Sequence, residues 1–474
     1  MEQKMDALSI RPCQNINQLF FDIKNPIVRL RGFVYNIRVR GKRSFLVLRQ
    51  GIETVQCIYS KGDGCDDTLD SDSYKNINQT PLESFVEIFG KVQITEIKIE
   101  SCSTKNMEIL LLGFKIISKC DTALPFTVKD ASQPISGKGY DPSTPKVMYK
   151  KCLDSRCLDL RTLHSQSIFR VIDSVMFYFR SFLRKKEFLE IKTSKLIESA
   201  SEGGANLFEV NFFKKKAFLA QSPQLYKQMA IIGGMKRVYE IGHVYRAEES
   251  NINRYLSEFI GMDIEMEINN TYMEIVELIY EMFIFIFDEI NKECSAEIEN
   301  IRKYYHFENL RYKKQPLIFS FKECVAMLRE ENVQIQDLED FSRENEKKLG
   351  NIIAEKYNVD FFVVKEYPYC ARPFYTHQSS EDPLYSKSYD FIMRGEEILS
   401  GAQRISDYTQ LKENAERCKV DISTISGYLD SFRFGAPMHG GCGIGMERVL
   451  KSFFNFNDIR YFNMFPRDPG RLNP

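Results

Sequence analysis

The stretch "GGCGIGMER", Gly440 to Arg448, places four glycines within six residues directly ahead of Met-Glu-Arg. Glycine permits positive φ and close approach of the backbone to a ligand. An arginine at the start of a helix offers a planar, permanently charged fork suited to phosphate. The chemistry suggested is recognition of phosphates. The string is not a Walker A loop, because no Gly-Lys-Ser/Thr follows, and the G-x-G-x-x-G dinucleotide spacing fails. Taken alone it reads as a glycine-rich turn entering a helix, and Arg448 is the residue that could make it a binding element.

The elements that must position such a turn come from the rest of the chain. Its 474 residues are enough for two to four domains at about 100 to 200 residues each. Lys plus Arg is 65 and Asp plus Glu is 65, so the net charge is zero and any polyanion must be met by local patches. Twelve cysteines occur without a CxxC pair, which argues for buried free thiols in a reducing compartment and against a zinc knuckle or disulfide framework. The apolar run "MFIFIF" at 282 to 287 is too short to span a bilayer. The first residues lack an apolar signal core, so the expected location is cytoplasmic, with no membrane partner.

Residues 1–24 read as a tail. Across 25–120 short alternating or apolar runs such as "SFLVLRQ" and "TVQCIY" are separated by polar turns, the pattern of a five-stranded barrel. The Pro-, Ser- and Gly-rich stretch 121–150 reads as a linker. From 151 to 474 the pattern is α+β. In "SIFRVIDSVMFYFRSFLRKK" the helical period puts Ile168, Ile172, Val175, Phe179 and Phe182 on one face, and "EFLEI" reads as a strand. Residues 270–360 read as a helical insertion whose charges form solvated faces.

Three separated stretches then act together: "EFLEIKTSKLIESASEGGANLFEV" (187 to 210), "RVYEIGHVYRAEESNINRYLSEFIGMDIEM" (237 to 266) and "GCGIGMERV". With them the chain resembles a class II aminoacyl-tRNA synthetase, of which these look like motifs 1, 2 and 3. The strings "QSPQLYKQ", "RPFYT" and "EEILSGAQRI" are similar to the aspartyl family of eukaryotic and archaeal type. The resemblance implies an OB-fold barrel that reads the anticodon, and a catalytic domain on an antiparallel sheet flanked by helices. It further implies a homodimer, with ATP, L-aspartate and tRNA(Asp) as substrates and Mg²⁺ as the metal.

Amino-acid activation brings a carboxylate anion to the α-phosphorus of ATP, so positioning and charge neutralisation must carry the catalysis. By resemblance Arg246 holds the α-phosphate and the attacking carboxylate, and Arg448 binds the γ-phosphate and covers the adenine. Phe259 would stack on the other adenine face, with Glu248 near the adenine amino group. Arg254, Tyr255, Leu256, Gly445, Met446 and Glu447 complete the expected ATP set. Glu397 and Ser400, three apart in "EEILS", match the family's metal pair, while Glu396 is expected to be structural. A buried aspartate side chain must be paired; Lys227 and Arg404 fit that task by family position, and Ser400 joins the aspartate set. Ser201, Gln224 and Asp263 are the expected acceptors for the α-ammonium, and Glu202 in "SEGGA" looks like the loop that closes over the amino acid. In the barrel, Phe45 matches a stacking platform, and Arg38 and Gln56 match base-edge readers.

The sequence also departs from the family. Ser194 stands where motif 1 usually has proline, which bears on dimer packing. Asn253, Tyr255, His377 and Gln378 are unusual types near the expected nucleotide or acceptor-end contacts. His439, before motif 3, reads as structural or substrate-proximal and not as a general base. Two rivals remain on the same scaffold: a binding protein that has lost catalysis, and an asparaginyl enzyme. The first is opposed by the presence of Arg246, Glu397, Arg404 and Arg448 together; the second gains nothing from Lys227.

Overall fold

The computed structural model describes residues 12–19, 27–60, 71–143, 146–198, 207–249 and 253–473. The expected closing loop, with Ser201 and Glu202, lies outside them. The chain divides into two compact units, residues 1–133 with 142–166, and residues 134–141 with 167–474. The stretch 121–150, read as a linker, is thus shared between the units.

In the first unit β1 (Ile27–Arg40), β2 (Arg43–Gln50), β3 (Glu53–Ser60), β4 (Phe85–Ile94) and β5 (Met107–Ser118) close a barrel in the order β1-β2-β3-β5-β4. Alternation decides which side chains fill it: Leu46, Leu48, Val55, Cys57, Tyr59, Ile109 and Leu111 are all buried in one core. The 142–166 segment is held on by Arg161, whose guanidinium lies 3.8 Å from the Phe33 ring centroid and 2.9 Å from Glu83.

The second unit is built on an eight-stranded sheet in the order β12-β13-β14-β15-β16-β11-β10-β6. Its strands are β6 (Leu189–Glu190), β10 (Arg237–Tyr245), β11 (Glu258–Glu267), β12 (Ile318–Ser320), β13 (Phe361–Lys365), β14 (Ser388–Met393), β15 (Glu397–Gln403) and β16 (His439–Gly445). Pairing is antiparallel except at the two ends, where β12 joins β13 and β6 joins β10 in parallel. A separate three-stranded sheet holds β7 (Leu196–Ile197), β9 (Lys215–Leu219) and β8 (Glu209–Phe212) in that order.

Helix Leu163–Lys185 buries Ile168, Ile172, Val175, Phe179 and Phe182 in the main core, as their period requires. Helix Met273–Glu293 covers the same face of the sheet, with Tyr280 stacked on Phe361 at 5.2 Å and Phe283 5.9 Å from Phe391. The 270–360 block is therefore more than a set of solvated helices. It adds β12 to the sheet, and helix Arg343–Tyr357 turns Glu346 inward to Arg254 at 3.0 Å. Among the described residues no helix is long and apolar enough to cross a membrane.

Candidate active site

The glycine-rich stretch is a central strand that runs straight into helix Met446–Phe453, where the sequence had suggested a turn. Packing explains the difference. β16 is wedged between β11 and β15, and a Cβ at Gly441 would collide with the Ile264 carbonyl and the Glu265 carboxylate. Register then builds the site: Asp263 lies opposite Gly443, Gly443 opposite Ser400, and Ser400 opposite Asp390. Directly paired residues share a sheet face, so these polar side chains form one row, interrupted by a bare glycine that leaves room above it.

A cavity of about 220 Å³ lies over this row. Of the expected ATP set, Arg246, Glu248, Arg254, Tyr255, Leu256, Phe259, Glu397, Gly445, Glu447 and Arg448 line it, and Met446 does not. Arg246 follows the end of β10, and its guanidinium sits 5.5 Å from the Phe259 ring centroid. Arg448 donates to the Glu397 carbonyl at 3.2 Å and lies 3.7 Å from the Glu397 carboxylate. Arg254 is committed elsewhere. Its guanidinium pairs with Glu346 at 3.0 Å and with Glu396 at 3.1 Å, which pins the end of the β10–β11 connection in place. Glu396 also takes Lys451 at 2.6 Å and Ser452 at 2.9 Å, so it is spent on structure while Glu397 faces the cavity.

Glu447 is buried and accepts from the Ile260 amide at 3.1 Å and from Asn463 at 3.1 Å. It ties helix Met446–Phe453 to β11. Burial pushes its carboxyl up from the ordinary 4.5 to about 7. A raised carboxyl binds its proton more tightly in the folded than in the unfolded chain. The stabilisation it gives is full below the unfolded value and is lost as pH rises to about 7. Glu447→Gln is expected to flatten the stability profile between these pH values, as thermal unfolding of both proteins in a pH series would report. An unaltered slope would mean that Glu447 does not titrate in that window.

Beyond the row lies a buried charge cluster. Arg404 grips Glu265 through two hydrogen bonds, at 2.9 and 3.2 Å. Lys227, itself 2 % exposed, donates to Asp263 at 2.9 Å and to the Cys442 carbonyl at 2.8 Å, and is 3.5 Å from Glu265. Burial pushes the Glu265 carboxyl up, yet Arg404 and Lys227 outweigh it and hold the group below its ordinary value. Lys227 is not among the residues lining the cavity, whereas Gln224, Asp263, Ser400 and Arg404 are. Gln224 turns its carbonyl to Arg404 at 3.4 Å, and its buried amide nitrogen has no partner among the described residues. Gln224 thus lines the cavity with its carbonyl turned to Arg404.

Sequence reasoning passed over Glu265, Arg372 and Asp390. Arg372 donates to Ser400 at 2.9 Å and to Asp390 at 2.8 Å. Burial, reinforced by Glu397, pushes the Asp390 carboxyl up, and its Oδ1 has no hydrogen-bond partner among the described residues. Glu265 had a usable signal, since it stands two residues after Asp263 on the same strand face. His439 is buried, with Nδ1 2.8 Å from the Pro437 carbonyl and Nε2 3.1 Å from Gln228. Burial lowers its pKa, which keeps the ring neutral and structural.

In the barrel unit, Arg38 pairs with Phe45, Phe45 with Ile58, and Gln56 with Val47. These residues share the outer face, opposite Leu46, Leu48 and Cys57. Phe45 is half-buried and outside the barrel core, Arg38 is exposed, and Gln56 donates to Glu108 at 3.1 Å.

The family model for class II tRNA synthetases (D, K and N) matches residues 149–469. A protein of Encephalitozoon cuniculi named "Probable aspartate--tRNA ligase, cytoplasmic" is 48 % identical over 474 residues, covering 100 % of both chains. The aspartyl-tRNA synthetase structure from Entamoeba histolytica superposes with a TM-score of 0.88 at 38 % identity, covering 98 % of this chain and 93 % of that one. The asparaginyl-tRNA synthetase from Pyrococcus horikoshii, solved with asparaginyl-adenylate, gives a TM-score of 0.80 at 26 % identity, covering 94 % of this chain and 96 % of that one.

Proposed function

From the premise that the chain belongs to the class II tRNA synthetases, we propose that it activates L-aspartate with ATP and transfers the aspartyl group to the 3′ end of tRNA(Asp). Pyrophosphate leaves in the first step and AMP in the second, and the reaction serves cytoplasmic protein synthesis. The observation that carries this reading is the cavity itself, with Arg246, Arg448 and Arg404 among its lining, the last of them part of the buried charge cluster. Such a site suits a polyphosphate together with an amino acid whose side chain is an anion.

The α-carboxylate of aspartate attacks the α-phosphorus as pyrophosphate leaves, and negative charge builds between two anions. Arg246 neutralises it where the new bond forms, and Arg448 takes the γ-phosphate of the leaving pyrophosphate. Phe259 gives the adenine an apolar shelf. Arg404 and the free Gln224 amide would receive the side-chain carboxylate, while Asp263 would accept from the α-ammonium. Ser201 is proposed as a further acceptor for the α-ammonium, and Glu202 as the residue that closes over the amino acid. Mg²⁺ would be held by Glu397 and Ser400, with the Asp390 carboxyl opposite Ser400 on the next strand, and would supply further neutralisation of the phosphates. These are the hard oxygen donors that this ion prefers. A homodimer is proposed, supported by exposed Phe177 on helix Leu163–Lys185 and exposed Leu189 and Leu196 in the motif 1 stretch as apolar surface.

The deciding experiment is ATP–pyrophosphate exchange with aspartate, asparagine and lysine. Exchange with aspartate alone is expected, and exchange with asparagine alone would move the chain to its asparaginyl relatives. The barrel gives a second test. If its outer face reads the anticodon, Phe45→Ala should weaken tRNA charging by about 1 to 3 kcal/mol, the value of one base–aromatic stack. Adenylate formation should stay unchanged. Equal loss in both assays would make Phe45 a packing residue only.

A further inference from the structure

The hairpin of β8 and β9 takes no part in the chemistry above, yet its composition is unusual for a solvated turn. Phe212 pairs with Lys215, which leaves Phe213 and Lys214 as the turn. Every residue from Asn211 to Lys216 is exposed. Phe213 is 91 % exposed, and its ring meets that of Phe212 edge to face at 4.8 Å. The backbone at Phe213 is left-handed, with φ 53°, a region that glycine or asparagine fills readily and a bulky side chain does not. Beside the rings stand Lys214, Lys215 and Lys216. Only Lys216 has a carboxylate partner among the described residues, Glu209 at 3.0 Å.

A turn shaped by solubility alone would not carry two exposed phenylalanines, and lysines are depleted from the buried core of protein–protein contacts. Aromatic faces interleaved with cations suit an unpaired nucleobase and its phosphates. The position fits too. β9 leads into Ala220, whose carbonyl accepts from Tyr245 at 3.0 Å, and the next residues, Gln221 and Ser222, line the cavity. The tip therefore stands within about 25 Å of extended chain from the cavity.

We propose that the β8–β9 hairpin is an RNA-contacting arm for the acceptor end of tRNA. Lys214, Lys215 and Lys216 meet backbone phosphates, and Phe213 packs on an unpaired base. This rests on tRNA being the substrate, which charging by the unaltered enzyme tests separately. The variants are Phe213→Gly and the triple change of Lys214, Lys215 and Lys216 to Ser, each measured for pyrophosphate exchange, KM for tRNA, salt dependence and sedimentation. Phe213→Gly relieves the left-handed strain, so thermal stability should hold or rise while KM for tRNA rises about tenfold. The triple variant should lower the log–log salt slope of tRNA binding by about 2. Exchange without tRNA should be unaffected in both. An unchanged KM and salt slope in folded variants would overturn the proposal. So would dissociation into monomers with an unchanged slope, which would assign the hairpin to a second copy of this chain.

Discussion

Arg448→Ala is expected to lower aspartate-dependent pyrophosphate exchange by at least about 100- to 1,000-fold, the effect of removing a group that stabilises transition-state charge. The change should leave the fold intact. The Arg448 side chain is 21 % exposed at the cavity wall, and among the described residues its hydrogen bond goes to a backbone carbonyl. What it does remove is the cation beside Glu397. The Glu397 carboxylate would then face the phosphates without its neighbouring counter-charge, so nucleotide binding and catalysis should fall together. Exchange assays with far-UV circular dichroism on the same preparation check this. Near-normal exchange in a folded variant would withdraw the phosphate role from Arg448.

The difference between Arg448 and Arg254 shows what the sequence could and could not supply. Both are arginines in the motif strings, and both border the cavity. Arg254 is nonetheless absorbed by Glu346, 92 residues away, a pairing that leaves no local pattern to read. The Arg372–Ser400–Asp390 cluster was hidden for a similar reason, because only the β14–β15 register brings Asp390 opposite Ser400. Periodic features were legible, as in helix Leu163–Lys185 and the inward residues of the barrel strands, because burial on one face imposes the period on the sequence itself. Glycine misled in the opposite direction. Four glycines suggest a turn by propensity, but at Gly441 the neighbouring strand and Glu265 leave no space for a side chain, and tertiary packing decides the conformation.

Lys227→Met is expected to penalise aspartate far more than asparagine, and the structure sharpens the reason. The cluster holds Lys227 and Arg404 against Asp263 and Glu265, two cations and two carboxylates in formal balance. Aspartate brings a further negative side chain and asparagine does not. Without Lys227 the cluster carries a net negative charge before any substrate arrives, and Arg404 alone must serve Glu265 and the incoming carboxylate. Leaving a buried charge unmatched costs about 3 to 5 kcal/mol, so the preference for aspartate should shrink by about two to four orders of magnitude. The variant will also be less stable, because the Lys227 ammonium staples β11 to β16 through Asp263 and the Cys442 carbonyl. For that reason the quantity to measure is the ratio of exchange rates for the two amino acids on one preparation, which does not depend on the fraction folded. An unchanged ratio would leave Lys227 as a strand staple and place the whole burden of charge recognition on Arg404 and Gln224.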